Sequence, residues 1–214
     1  MSGITEQTEK WVGQFGREYT DRNASSLEGM ETLSKSDFGK TRSDQNEQFL
    51  QGVDRSARIL EVGCNIGNQL LCLQRMGFND LWGIDIQEYA LGLAMGRTDG
   101  INFALASALD IPFEDGSFDL VFTSGLLIHI GPSDILRAMA EIRRCSRSYI
   151  WGSEHYADED EEILYRGHRN LLWNRNFVRL YLDSFSGLSL INEVLFPCLG
   201  GDDMNTMFLL KKAR

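Results

Sequence analysis

The chain has 214 residues, 43% of them hydrophobic and 24% charged, with a formal net charge of −10. That size and balance suit one globular domain with a sizeable core. The acidic excess argues against a nucleic-acid partner, because phosphate neutralisation needs a basic face, and no apolar run reaches the roughly 18 residues of a membrane span.

Residues 1–54 read as a polar, helical N-terminal cap. Trp11, Phe15 and Tyr19 recur at i, i+4 and i+8, which puts three aromatic rings on one helical face. That face either packs on the core or forms a lid. Residues 21–25 (DRNAS) read as a helix end and turn. The polar start, with Glu6, Glu9 and Lys10, lacks the apolar core of a signal peptide.

Residues 55–152 alternate strand and helix patterns. Strands are expected at 59–62, 81–85, 101–105, 118–122 and 149–152. Helices are expected at 68–76, closed by Gly77, at 88–95 and at 132–144. Residues 153–214 begin with the acidic run Asp158-Glu159-Asp160-Glu161-Glu162, either a lid or solvated surface. A helix over 174–185 and strands at 188–196 and 204–210 follow. The short link between those strands predicts an antiparallel hairpin. The expected fold is a single α/β, Rossmann-like domain over 1–214. It has a mostly parallel seven-stranded sheet, helices on both faces and a helical N-terminal extension.

The chemistry concentrates where the first strand ends, at Glu61-Val62-Gly63-Cys64-Asn65-Ile66-Gly67-Asn68. A dinucleotide fold uses G-x-G-x-x-G, so that backbone can approach a pyrophosphate. Here the spacing is E-x-G-x-x-x-G. It resembles motif I of the class I S-adenosylmethionine methyltransferases, whose cofactor offers an amino acid and a ribose but no phosphate. In an open α/β sheet the ligand lies at the carboxyl ends of the strands. Asp85, closing the second strand, is placed to accept the ribose hydroxyls, and Ile86 to lie on one adenine face. Ser107 with Ala108 would read the adenine edge after the third strand. Ser124 and Gly125 follow the fourth. Asn65 replaces the middle glycine of the usual motif and tolerates φ > 0 better than most residues. Ser107 stands where many such enzymes carry an aspartate. Tyr19 and Arg22 would close over the methionyl end.

The acceptor side is less specific. A hydroxyl or ammonium acceptor must lose a proton, so His129, His155 and His168 are candidate bases. Each has an ordinary structural alternative: a core partner for His129, ion pairing with the acidic run for the others. Glu154, His155, Tyr156, Arg166 and Arg169 are candidate substrate contacts, the arginines suiting a carboxylate or phosphate. Cys64, Cys72, Cys145 and Cys198 form no C-x-x-C pair and no metal-ligand spacing, as expected of free thiols in a reducing cytoplasm.

Five stretches carry a narrower resemblance: residues 11–23 (WVGQFGREYTDRN), 61–70 (EVGCNIGNQL), 81–87 (LWGIDIQ), 118–130 (FDLVFTSGLLIHI) and 165–173 (YRGHRNLLW). Together they are similar to the bacterial pseudaminic acid biosynthesis-associated methyltransferases. The resemblance implies that Asn65 and Ser107 are family traits. It also implies S-adenosylmethionine as cofactor, S-adenosylhomocysteine as product, and an acidic amino sugar or its nucleotide-linked form as acceptor in surface-glycan synthesis. A methyltransferase for another metabolite, for tRNA or for protein is the alternative, as is a cofactor-binding module without turnover. The oligomeric state has no signature.

Overall fold

A computed structural model describes residues 5–23, 26–199 and 203–213. Four helices come first: α1 (Glu6–Val12), α2 (Gln14–Asn23), α3 (Leu27–Phe38) and α4 (Arg42–Leu50). Thr5 caps α1 by accepting from the Thr8 amide, and Thr41 with Asp44 forms a capping box on α4. The aromatic face spans two helices, because the chain straightens at Gly13 between α1 and α2. It is preserved nonetheless: the Trp11 ring lies 5.1 Å from Phe15 and 5.3 Å from Tyr19. Of the turn expected at 21–25, Ala24 and Ser25 lie outside the described residues.

The alternating zone supplies β1 (Arg58–Val62), α5 (Asn68–Arg75), β2 (Asp80–Asp85), α6 (Glu88–Arg97), β3 (Ile101–Leu105), β4 (Phe118–Ser124), α7 (Ile135–Cys145) and β5 (Ser146–Tyr156). Then come β6 (Glu161–Glu162), β7 (Trp173–Asn174), α8 (Phe177–Ser184), β8 (Leu188–Pro197) and β9 (Met204–Lys212). The main sheet has the order β3-β2-β1-β4-β5-β9-β8. Its first five strands are parallel, and β9 and β8 close it as the expected antiparallel hairpin.

Parallel strands buried on both faces require continuous apolar side chains. Ile59, Leu60 and Val62 on β1 and Leu120, Val121 and Phe122 on β4 are fully buried. They feed two core clusters. One includes α7 and α8 (Ala138, Met139, Phe177, Tyr181), the other α4 and α5 (Phe49, Leu50, Leu70, Leu73). Val62 pairs with Ile84 and with Thr123, so β1, β2 and β4 end side by side. That alignment, with the order reversing at β1, is what makes a binding crevice.

Three expectations change. The fifth strand does not stop at Gly152; it runs to Tyr156, because β9 pairs residue for residue as far as Tyr156 with Met204. Helix α7 starts at Ile135, after a turn in which the Asp134 amide bonds the Gly131 carbonyl. Residues 161–174 form a small antiparallel arm, β6 with β7, that the alternating pattern does not reveal. The last two residues of the acidic run, Glu161 and Glu162, therefore belong to a strand.

Candidate active site

A cavity of about 350 Å³ opens at the carboxyl ends of β1, β2 and β4. Its floor is the turn after β1. Gly63 has φ 74° there, and a Cβ would stand 2.7 Å from the Leu126 side chain. Asn65 adopts φ 46°, the left-handed conformation expected of a residue in place of glycine. Gly67, at φ 77°, opens α5. Asp85 ties this turn to the next one: its carboxylate accepts from the Asn65 amide and from the Gln87 amide, both at 2.8 Å. Burial raises the Asp85 pKa, against the pull of those amide bonds. Glu61 is 3% exposed, and its carboxyl is pushed well above the usual range by burial and then by the Asp85 charge, with Arg42 opposing.

Several residues lining this space carry a buried polar atom without a hydrogen-bond partner: Glu61 Oε2, Asn65 Oδ1, Trp11 Nε1, Thr20 Oγ1 and Gln69 Nε2. Unsatisfied buried groups are costly, and a cluster of them at one cavity fits a polar ligand. Two are acceptors suited to an ammonium. Trp11 and Gln69 offer donors suited to a carboxylate, and Thr20 can serve either way. Beside them Asp85 keeps free lone pairs for ribose hydroxyls. Ile86, Ala106, Ala108 and Leu109 give apolar walls for a base. Ser107 Oγ accepts from the Leu109 amide at 3.1 Å, which leaves its own proton to donate. The residues thus fit S-adenosylmethionine, with its zwitterionic end at Glu61 and its adenosine at Asp85 to Leu109.

The far wall carries His129, at the end of the short 3₁₀ turn Leu127–His129 after β4. Its Nδ1 lies 2.7 Å from the Leu171 carbonyl. A carbonyl only accepts, so Nδ1 holds the proton and Nε2 the lone pair. Burial lowers the His129 pKa to about 4, and the nearby His155 adds to the effect. Its ring sits among Trp11 at 4.5 Å, Tyr165 at 5.4 Å and Tyr19 at 5.8 Å.

Of the other predicted residues, Tyr19, Cys64, Asn68, Ser124 and Gly125 line the cavity, while Gly67 acts through its backbone conformation. Arg22 is exposed and outside the lining. Glu154, expected to touch substrate, turns instead to the loop after β4. Its carboxylate accepts from the Leu126 amide at 3.2 Å and the Ile128 amide at 3.4 Å, and burial raises its pKa to about 7. His155 faces Asn174, and Tyr156 donates to Asp158; neither lines the cavity. His168 is exposed, its ring 5.4 Å from Phe15. It ends a tight turn in which Arg166 and Gly167 have φ 52° and 82°. Arg166 and Arg169 do not pair with the acidic run. Asp160 bonds Arg175 at 3.0 Å, Glu159 pairs with Arg179 at 3.4 Å, and Glu162 accepts the Asn170 amide. Thr20, Gln69 and Gln7 line the cavity unforeseen, since polar residues inside helices carry no sequence signal.

Comparison with solved structures agrees with this geometry. The Burkholderia thailandensis 1,6-didemethyltoxoflavin-N1-methyltransferase, solved with its substrate and S-adenosylhomocysteine, superposes with a TM-score of 0.69. It is 13% identical, and the match covers 100% of this chain and 93% of that one. The [4+2]-cyclase SpnF also matches, with a TM-score of 0.62, 17% identity and coverage of 79% and 80%. A fold alone therefore does not set the reaction. Residues 60–149 match a family model described as a methyltransferase domain. The chain thus carries a segment similar to methyltransferase domains, on a fold shared with S-adenosylmethionine-dependent methyltransferases. Methyltransferase GfsG of Streptomyces halstedii is 31% identical over 107 residues, 46% of this chain and 38% of that protein. The chain spans less than half the length of the curated relatives it matches. Among the described residues no helix is long and apolar enough to cross a membrane.

Proposed function

We propose that the protein transfers a methyl group from S-adenosylmethionine to a small anionic acceptor, an acidic amino sugar or its nucleotide-linked form. The observation that carries this reading is one cavity holding both a zwitterion-shaped set of unpartnered polar atoms and a histidine with a fixed lone pair. The amino-sugar class is supported by the narrower sequence resemblance and by Arg166 and Arg169, two exposed arginines that form no salt bridge among the described residues. On this reading residues 1–54 cap the site, 55–152 bind the cofactor and 153–214 face the acceptor.

When bound, S-adenosylmethionine supplies an electrophilic methyl group on a sulfonium. Glu61 and Asn65 receive its ammonium, Trp11 and Gln69 its carboxylate, and Asp85 its ribose. The cap excludes water, so alignment of the acceptor does most of the work. His129 Nε2 takes the acceptor proton. A base this weak suits an oxygen, whose proton turns acidic as the new bond forms. An ammonium would have to lose its proton beforehand, to a stronger base.

The test is mass spectrometry on a panel of free and nucleotide-linked pseudaminic acid and its amino-sugar precursors, incubated with protein and S-adenosylmethionine. The expected result is one methylene unit of added mass on one panel member, with fragmentation locating it on oxygen. If cofactor binds and no member gains mass, the amino-sugar reading is wrong.

A further inference from the structure

One side chain of the cap bonds both the loop that carries His129 and the arm whose carbonyl meets its ring. Gln7 Nε2, on α1, donates to the His129 carbonyl at 2.8 Å and to the Asn170 carbonyl at 3.2 Å. Its Oε1 accepts from the Gly131 amide at 3.2 Å. The first and third bonds hold the backbone just after His129, on either side of Ile130. The second holds the residue next to Leu171, whose carbonyl takes the His129 Nδ1 proton. The arm between β6 and β7 and the loop after β4 are far apart in sequence, and Gln7 joins them at the point where the base is oriented.

We propose that Gln7 is a positioning residue for His129, so that docking of α1 over the cavity and correct orientation of the base are one event. The proposal rests on the methyl-transfer reading for its link to turnover, but its structural core does not. Three contacts from one amide use both donors and the acceptor. An aspartate, a lysine or a hydroxyl residue cannot make that set. The same helix places Trp11 against the ring at 4.5 Å, and Gln87 Nε2 pins the helix end through the carbonyls of Trp11, Val12 and Gly13 at 3.0 to 3.3 Å. An undocked α1 would lose the Gln7 bonds and the Trp11 contact together. An open site would hold cofactor through Glu61, Asn65, Gln69 and Asp85 without Trp11, and would assemble its base only when the cap is down, which keeps water from a reactive sulfonium.

The groups that face the ring from packed elements are Tyr19 on α2, Tyr165 in the arm and His155 on β5. None is negatively charged near neutral pH, so the ring state reports the Leu171 bond without a competing carboxylate.

Two variants test the proposal. Gln7→Leu keeps the size and removes all three bonds. Gln7→Glu keeps the acceptor for Gly131 and turns a carboxylate on two carbonyls. Nitrogen-15 NMR of the three histidines, with S-adenosylhomocysteine present, reads the His129 tautomer without any turnover. The wild type should show the proton on Nδ1. Both variants should show a mixture of tautomers, with a His129 pKa moved up toward the ordinary histidine range, and kcat lower by about tenfold or more, more so in Gln7→Glu. Circular dichroism confirms that each variant is folded, and Gln7→Asn, one methylene shorter, provides an intermediate case. An unchanged His129 tautomer in both Gln7→Leu and Gln7→Glu overturns the proposal. A changed tautomer together with full turnover in His129→Gln would instead overturn the role of His129 as base and leave the positioning by Gln7 standing.

Discussion

At the residue scale, burial sets the charge states of the site. Burial lowers the His129 pKa to about 4, so its ring is neutral near pH 7. Its contribution as base should therefore be flat above that value. His129→Gln is expected to lower kcat by about 10² to 10⁴, the usual worth of a general base, with little change in S-adenosylhomocysteine affinity. Rapid-quench or steady-state kinetics beside calorimetry would separate the two effects, and equal losses in both would mean that the ring holds cofactor instead. Glu61 illustrates the opposite case. Buried at 3% exposure with an unpartnered oxygen, it is held toward the neutral form. An ammonium arriving beside it restores the charge, so cofactor binding should release a proton from this residue.

At the element scale, strands and helices of the central zone were legible from the sequence, and the acceptor side was not. Residues 101–105 form β3 as expected, and Gly63, Asn65 and Asp85 hold the turn geometry that their spacing implied, since backbone conformation and register leave a direct mark on residue choice. The arm of β6 and β7 left no such mark: it has two residues per strand and polar composition. Its place is written in contacts to distant segments, such as the Leu171 carbonyl to His129 Nδ1. Glu154 and His155 were expected at the substrate because polar residues at a strand end usually are. β9 instead extends β5 past them, and Glu154 becomes the anchor of the loop after β4. The arm also carries a prediction. Arg166→Ala with Arg169→Ala should raise the acceptor KM by about thirtyfold while leaving cofactor affinity unchanged, if each lost charge-assisted contact costs about 1 kcal/mol at an exposed site. An unchanged KM would return both arginines to the surface.

At the scale of the whole molecule, two buried groups on either side of one loop pull stability in opposite directions with pH. The folded pKa of His129, about 4, lies below its ordinary 6.5. Between those values the unfolded chain binds more protons, so this group costs stability as pH falls from about 6.5 to about 4. The folded pKa of Glu154, about 7, lies above its ordinary 4.5. Here the folded chain binds more protons, and stability is lost as pH rises from about 4.5 to about 7. Urea unfolding of wild type and Glu154→Gln across pH 4.5 to 7 should show the difference between them shifting steadily in favour of the variant as pH rises. A constant difference would mean that Glu154 is already charged in the folded loop. The two opposed titrations meet at the loop that carries His129.

The cofactor site is the centre of the account, and Asp85 is its hinge: one carboxylate closes the turn through the Asn65 amide and offers lone pairs to the ribose. The most direct measurement is calorimetric titration of S-adenosylhomocysteine into wild type and Asp85→Ala. Saturable one-to-one binding by the wild type is expected, with a loss of about 1.5–3 kcal/mol in the variant, the scale for hydrogen bonds to a charged group. Equal affinity in the two proteins would contradict a cofactor site at Asp85 and would place the cofactor elsewhere in the chain.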